Sequence, residues 1–293
     1  MDGFFYGWYL KCQSDTQTLA VIPAVHTSRG THTCSIQVIT EQNAWSVTFP
    51  ADEFRRVGRN IFIGENRFGK DGIYLAIHTP QLSIRGKLKF GSLAPLKYDI
   101  MGPFALVPFM ECRHSVWSMR HSVSGNVNIN GKEYLFKNAR GYWEGDRGRS
   151  FPQKYIWTQC SFSGGALMLS VADIPIMGIP NIGIPSLGIH FTGIIGVILW
   201  RGKEYRIATY LGARVVKIQN HMVFVKQGNM ELQVCLLEES KRPLKAPKVG
   251  DMARIIHESA ACLASYRFSK GGRTIFEFET DRASFEFEYF SGS

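Results

Sequence analysis

Residues 82–90 read LSIRGKLKF and alternate apolar with basic or small polar side chains. Because successive side chains of a β-strand point to opposite faces, this stretch predicts a strand with one face in a core and a basic face in solvent. Residues 283–289, ASFEFEY, repeat the pattern with acids on the polar face. Residues 127–136, VNINGKEYLF, place Asn130-Gly131 between two such runs, which is typical of a tight hairpin. The three stretches predict half-buried antiparallel strands.

Short alternating runs of this kind recur along the whole chain, and Gly-containing turns separate them. Only residues 51–57 and 251–264 resemble helices. Many short strands at close spacing indicate a barrel or a sandwich, and 293 residues are enough for two of them. Pro103 and Pro108 interrupt the segment between them. We therefore predict an all-β fold with two barrel-like halves, residues 1–113 and residues 114–293, the second of which carries the acidic motif described below.

The overall charge and the cysteines narrow the class of protein. The formal net charge is +10, but the Lys and Arg residues are scattered without a run of four, so a nucleic-acid partner is not predicted. Six cysteines occur without a CxxC pair, and the first residues lack a basic segment followed by a small-residue cleavage site. The sequence thus predicts a cytoplasmic protein with reduced thiols.

Several motifs of known chemistry are incomplete or absent in the sequence. Residues 64–71, GENRFGKD, nearly match a phosphate-binding loop, but Asp71 stands where Ser or Thr should hold magnesium and a strand, not a helix, follows. The chain contains neither GxGxxG nor GxSxG, which argues against dinucleotide binding and against a serine hydrolase. The pairs His26/His32 and Cys112/His114 lack further ligands at metal-binding spacing, so no metal site is predicted.

The densest group of polar and aromatic residues is 141–152, GYWEGDRGRSFP. Glu144 and Asp146 lie two residues apart and therefore share a face if the segment is a strand. One interpretation is an exposed loop with surface ion pairs, which contribute little to stability. The other is a buried site in which neighbouring aromatic rings keep a carboxyl group protonated. The residues alone leave both interpretations open.

Three stretches of the chain resemble the tocopherol cyclase family. The first is residues 5–11, FYGWYLK, followed by IPA at 22–24 and SIQVI at 35–39. The second is residues 119–125, followed by GYWE at 141–144 and GRSFPQKYIWTQ at 148–159. The third is residues 193–200 with YRIATY at 205–210 and KAP at 245–247. The second stretch is the most specific, and it is more distantly similar to the carotenoid hydratases. Where the family commonly has Lys and Trp after the glutamate, this chain has Gly145 and Arg147.

The resemblance implies two consecutive antiparallel lipocalin-like barrels and a cofactor-independent reaction. A buried acid protonates the alkene of a prenylated phenol, quinol or related terpenoid lipid, and the phenolic oxygen captures the cation. By family position Glu144 is the predicted acid. Asp146 is predicted to be a second acid, to orient Glu144 or to pair with Arg147, and His121 is predicted to accept or relay the phenolic proton. The residues predicted to bind the substrate are Trp8, Tyr9, Tyr142, Trp143, Arg149, Trp157 and Gln159.

Two other functions remain open at this stage. The chain could be a non-catalytic lipocalin-like carrier of a hydrophobic ligand, since the same barrel would serve. It could also be a related hydratase, or a pericyclase that needs a shaped cavity but no acid. In each case the partner is a hydrophobic small molecule, and the oligomeric state is not determined by the sequence.

Residues 174–200 contain no Asp, Glu, Lys or Arg. The length suffices for a membrane span, but Pro175, Pro180 and Pro185 and repeated glycines disfavour a helix. Residues 193–200 are predicted to form a barrel strand. Residues 174–188 are predicted to form either a lid that contacts a membrane surface or a loop packed between the halves.

Overall fold

A computed structural model describes residues 3–28, 30–107, 110–175, 190–238, 242–248 and 251–289, with the backbone alone at 242–248 and 251–258. Within these residues the fold is built almost entirely from strands, with short 3-10 helices at Ala51–Glu53, Gly102–Leu106 and Thr209–Leu211. The strands are β1 Phe4–Gln13, β2 Thr18–Ser28, β3 Thr31–Thr40, β4 Ala44–Pro50, β5 Phe54–Val57, β6 Asn60–Ile63, β7 Asn66–Gly69, β8 Gly72–His78, β9 Ser83–Phe90, β10 Cys112–Ile129, β11 Lys132–Gly148, β12 Tyr155–Phe162, β13 Gly165–Pro175, β14 His190–Trp200, β15 Lys203–Ala208, β16 Arg214–Gln219, β17 Met222–Gln227, β18 Met230–Glu238, β19 Arg242–Lys248, β20 Asp251–Lys270 and β21 Arg273–Phe287.

The first sheet contains eleven strands in the order β4-β3-β2-β1-β11-β10-β9-β8-β7-β6-β5. Side chains from near both ends of this order, such as Val38 on β3 and Ile63 on β6, pack in the same buried cluster with Leu88 and Phe136. Because inner faces from both ends of the sheet meet in one core, the sheet curls around that core as a barrel does.

The second sheet runs β15-β14-β13-β12-β21-β20-β18-β17-β16, and β19 pairs with β20. Its core cluster again joins distant strands, since Ile207 of β15 packs with Val225 of β17 and Phe285 of β21. The predicted all-β class, with two consecutive antiparallel barrel-like sheets, is confirmed.

Local patterns predicted the hairpins well and both helices wrongly. In the helix predicted at 51–57, only Ala51–Glu53 form a 3-10 turn, and Phe54–Val57 form β5. Asn130 and Gly131 form the predicted turn, with φ angles of 51° and 86°. In contrast, residues 251–264, predicted as a helix, lie in β20, where Ala264, Tyr266 and Phe268 alternate into the second core. The Ala-rich composition favours a helix locally, but pairing with β18 and β21 decides the structure.

The division of the chain differs from the predicted boundary after residue 113. The long hairpin β10–β11 pairs with β9 on one side and with β1 on the other, so the acidic motif belongs to the first sheet. Turn residues show where strands end, but they do not show which strand is the partner. The two compact units are Met1–Lys97, His114–Phe151 and Arg242–Ile256, and Tyr98–Arg113, Pro152–Lys241 and His257–Ser293.

The uncharged stretch begins at the end of β13 and finishes in β14, which confirms the strand predicted at 193–200. The rest of the predicted lid, residues 176–188, lies outside the described residues. Among the helices that the structure describes, none has the length and hydropathy needed to cross a membrane. No disulfide joins the six cysteines, all of which are in described segments.

Candidate active site

The two faces of β11 separate Trp143 from the acid. Trp143 points into the first core cluster. Because side chains alternate along a strand, Tyr142 and Glu144 lie on the opposite face. Tyr9 of β1 stands directly opposite Glu144 in the register and therefore shares its face. The Glu144 residue is nevertheless buried, with 4% of its surface exposed, so the interpretation as an exposed loop is wrong for this acid.

The neighbouring strand β10 supplies a histidine to this acid. His114 Nδ1 and Asp146 Oδ1 are hydrogen-bonded at 2.8 Å. The other ring nitrogen, Nε2, lies 3.2 Å from Glu144 Oε2 in a close charge contact. Residues 144 and 146 share a face of β11, so one imidazole reaches both carboxylates.

Tyr142 completes the group by donating its hydroxyl hydrogen to Oε2 of Glu144. The four side chains thus form a continuous series, Asp146, His114, Glu144 and Tyr142, which we call the acid cluster. The ring of Tyr9 lies edge-on to that of Tyr142, with 6.5 Å between ring centroids. Such a series can store a proton and move it between oxygen and nitrogen atoms over short distances.

Burial determines the electrostatics of the acid cluster. Burial raises the pKa of Glu144 because the carboxylate loses its hydration, and the positive charge of His114 opposes this rise only in part. Burial lowers the pKa of His114 because it disfavours the charged ring. The negative charges of Asp146 and Glu144 outweigh this effect and raise the pKa of His114 well above its ordinary value. The pKa of Tyr142 is raised by burial and by Glu144, so its hydroxyl stays protonated.

A second set of contacts fixes the backbone between the two carboxylates. Ser115 Oγ donates a hydrogen bond to the Gly145 carbonyl at 2.8 Å, and Trp117 Nε1 donates to Ser115 Oγ at 3.3 Å. A side chain at Gly145 would approach Trp8 Cδ1 to 3.1 Å. Glycine therefore suits this position, where the family commonly has a lysine.

His114, Glu144 and Asp146 are also the one trio in the described part of the chain that could hold a metal ion. Their ligand atoms lie within 4.8 Å of one another. The His114 contacts of 2.8 Å and 3.2 Å are ion-pair distances between protein groups. A metal ion would have to displace the hydrogen atoms that lie between His114 and the two carboxylates. The arrangement therefore fits proton storage better than metal binding.

The structure places His121 outside the acid cluster. Its Nδ1 pairs with Ser118 Oγ at 3.0 Å, and its ring packs on Phe90 with 4.3 Å between centroids. Neither Glu144 nor Asp146 is among these contacts. Burial lowers the pKa of His121 to about 4, so the ring is neutral near pH 7. His114, which the sequence offered only as a candidate metal ligand, is the histidine that contacts Glu144.

The predicted substrate-binding residues divide into four groups. Tyr9 and Tyr142 lie beside Glu144, whereas Trp8 and Trp143 pack in the core of the first sheet, so for these two the cavity-lining prediction is replaced by core packing. Arg149 is exposed. Trp157 and Gln159 are buried on β12 of the second sheet, and their binding role stays a prediction.

A substitution at Gly141 tests how tightly β10 packs against β11. An alanine Cβ there would lie 2.2 Å from Nε2 of His121. We expect Gly141→Ala to lower the free energy of unfolding in urea by about 1–3 kcal/mol, as overpacking does. Gly7→Ala is the matched control on β1, because its Cβ would make an ordinary 3.6 Å contact with Ala24. Adding His121→Ala should restore much of the loss in Gly141→Ala; equal effects of the two glycine variants would show that this contact is not tight.

Comparison of sequences supports the resemblance. Residues 77–219 match the sequence model of the tocopherol cyclase-like family. The match contains all four members of the acid cluster. Over 86 residues the chain is 31% identical to a protein of Oryza sativa subsp. japonica named "Probable tocopherol cyclase, chloroplastic". These residues are 29% of this chain and 18% of the rice protein, so the match spans under a fifth of that relative. The predicted tocopherol cyclase-like resemblance is confirmed.

Solved structures share the fold at low sequence identity. An AttH protein of Nitrosomonas europaea aligns with a TM-score of 0.56 and 11% identity over 99% of this chain and 93% of its own. CghA aligns with a TM-score of 0.58 and 8% identity over 100% and 90%. Kievitone hydratase from Nectria haematococca aligns with a TM-score of 0.56 and 7% identity over 98% and 89%. At these identities the likeness concerns the fold.

Proposed function

We propose that this tocopherol cyclase-like chain catalyses the acid-driven cyclisation of a prenylated phenol or quinol, with Glu144 as the proton donor. One observation carries the proposal: a buried carboxyl group with a raised pKa contacts both a charged imidazole and a tyrosine hydroxyl. A raised pKa increases the protonated fraction of a carboxyl group near pH 7, and the protonated form can transfer its proton to a weakly basic alkene.

The geometry of Glu144 suggests which oxygen delivers the proton. His114 and Tyr142 both reach Oε2, so Oε1 is the oxygen left to carry the acidic hydrogen. Transfer of that hydrogen to the alkene forms a C–H bond and a tertiary cation and leaves a carboxylate. The remaining contacts from His114 and Tyr142 then stabilise the negative charge on Oε2.

Ring closure restores the proton. The phenolic oxygen attacks the cation, a C–O bond forms, and the phenolic hydrogen returns to Glu144 directly or through His114. The overall reaction is an isomerisation, since no atom is gained or lost, and the proposed cycle needs no cofactor. Asp146 acts as a positioning residue in this scheme, because its bond to Nδ1 fixes the orientation of the imidazole.

The aromatic neighbours of the acid cluster suit a cationic intermediate. Tyr9 and Tyr142 present rings on the face that carries Glu144. An aromatic face attracts a cation without reacting with it, whereas water would capture it. Folding the prenyl tail against these rings would bring the phenolic oxygen near the cation, which is a proximity effect.

The same residues argue against a simple carrier of apolar ligands. A buried ionisable group lowers stability unless it is compensated, and an apolar ligand gains nothing from it. Here His114 contacts the carboxylates of both Glu144 and Asp146, and Tyr142 donates a hydrogen bond to the Glu144 oxygen that His114 contacts. This arrangement favours an enzyme over a carrier.

Incubation of the purified protein with geranylated hydroquinone, followed by mass spectrometry, tests the proposed function. We expect a chroman product with the mass of the substrate but a different retention time. A product heavier by one water would indicate a hydratase that uses the same acid in place of the cyclase. Recovery of unchanged quinol, together with co-purification of assorted fatty acids, would favour the carrier and contradict the proposal.

A further inference from the structure

One face of the first sheet, away from the acid cluster, carries a row of cations and aromatic rings. Across β5 to β9, Arg55, Phe62, Arg67, Tyr74 and Lys87 stand directly opposite one another in register. Directly opposed side chains share a face of a sheet. The residues that alternate with them are buried in the first core, so this row faces away from it; they include Ile61, Ile63, Phe68, Ile73, Leu75 and Leu88.

Two further cations extend the row, because Arg85 and Lys89 lie two residues either side of Lys87 on β9. In the part of the chain that the structure describes, Lys87 and Lys89 make no ion pair. Arg67 lies 3.9 Å from Asp71, and both of these side chains are largely exposed. The face as a whole is therefore positively charged.

This face also has a local depression. A cleft of about 490 Å³ opens on it, with walls that include Phe62, Arg67, Tyr74, Lys87 and Lys89. Two acids, Glu65 and Asp71, complete its edge. The guanidinium of Arg55 lies over the Phe62 ring, 4.9 Å from its centroid. We call Arg55, Phe62, Arg67, Tyr74, Lys87 and Lys89 the basic cleft.

We propose that the basic cleft docks the protein on an anionic phospholipid surface. The positive charge complements lipid phosphates. At about 4.8 Å between neighbouring strands, the row from Arg55 to Lys87 is about 19 Å wide, which is far wider than one free phosphate. Phospholipid headgroups present many phosphates in one plane. In the proposed docking, one of these phosphates lies between Lys87, Lys89 and Arg67. Half-buried aromatic rings such as Phe62 and Tyr74 suit the boundary between headgroups and acyl chains.

Two alternative occupants of the basic cleft are less consistent with the structure. A nucleotide would need a phosphate-binding loop, but residues 64–71 form the turn and strand that lead into β8, without the helix such a loop requires. Single-stranded nucleic acid binds by stacking bases on exposed rings, and Arg55 already covers a face of Phe62. The docking proposal does not depend on Glu144, so it can fail or succeed independently of the proposed reaction.

Vesicle sedimentation of the full chain tests the proposal, with phosphatidylglycerol vesicles against phosphatidylcholine vesicles at equal lipid. Each basic residue near an anionic surface strengthens binding by roughly five-fold. We therefore expect Lys87→Gln with Lys89→Gln to weaken binding to phosphatidylglycerol by about 30-fold. The matched control is Lys203→Gln with Lys217→Gln, which removes the same charge from exposed positions of the second sheet.

The outcomes distinguish binding at the basic cleft from a general effect of the protein's positive charge. Binding to phosphatidylglycerol that persists in the control, weakens in the cleft variant and resists millimolar inorganic phosphate supports the proposal. Equal weakening in both variants would overturn it, as would complete displacement by free phosphate. Binding of a single-stranded oligonucleotide without vesicle binding would also overturn it. If the double variant unfolds at a lower temperature than the parent, Arg67→Gln tests the same cleft from β7.

Discussion

Glu144→Gln is expected to lower kcat for cyclisation of geranylated hydroquinone by about 10³-fold, within the range that a positioned general acid supplies. The amide keeps the shape of the side chain, and its oxygen can still accept the hydroxyl hydrogen of Tyr142. It cannot, however, donate a proton to an alkene. Steady-state kinetics should therefore show the loss in kcat, with KM changed little.

Glu133→Gln is the matched control for this variant. It makes the same substitution on the same strand, at an exposed position whose carboxylate accepts a bond from Asn126. Circular dichroism and thermal unfolding should give similar curves for the parent and both variants. A Glu144→Gln protein that folds and turns over at the parental rate would exclude Glu144 as the acid.

His114→Gln should have the second largest effect, about 10²-fold on kcat, because the imidazole would no longer return the proton or stabilise the carboxylate. The variant should also change the pH profile. Activity requires protonated Glu144, so it is present below the pKa of Glu144 and is lost as the pH rises through it. The His114 charge lowers that pKa, and its removal should move the alkaline limb to higher pH.

This shift distinguishes a positioning role from a purely structural one. A loss of packing would lower kcat at every pH without moving the alkaline limb. His121→Gln is the control, since His121 is a neutral neighbour that bonds to Ser118 and not to Glu144. If both histidine variants left the limb in place, the acid cluster would not be the group that titrates.

The fold could be predicted from the sequence because its signals are local. Alternation at 82–90 and Asn130-Gly131 at the hairpin each depend on neighbouring residues, and the structure confirms both. The boundary after residue 113 failed because strand pairing is not local: β11 pairs with β1, which lies more than a hundred residues earlier. Predicting a helix at 251–264 failed for the same reason.

The candidate site was only half visible in the sequence. The GYWE motif identified Glu144, and the spacing placed Asp146 on the same face. His114 was missed because it lies 30 residues before Glu144 and meets it only through the β10–β11 hairpin. A regular two-residue hairpin at Asn130-Gly131 places residue 114 opposite 147, so counting from the turn brings His114 within one residue of Asp146 but on the other face of the sheet. Trp143 was misplaced because an aromatic residue beside an acid gives no sign of which face it occupies.

Transfer of a proton from the acid cluster to carbon is the central claim, and deuterium incorporation tests it most directly. The protein and geranylated hydroquinone are incubated in D₂O, and the isolated product is analysed by mass spectrometry and NMR. We expect one non-exchangeable deuterium per product, at the ring carbon next to the carbon that forms the new C–O bond, because Glu144 exchanges its proton with solvent between turnovers. A cyclised product without carbon-bound deuterium would contradict the account and indicate ring closure without an acid.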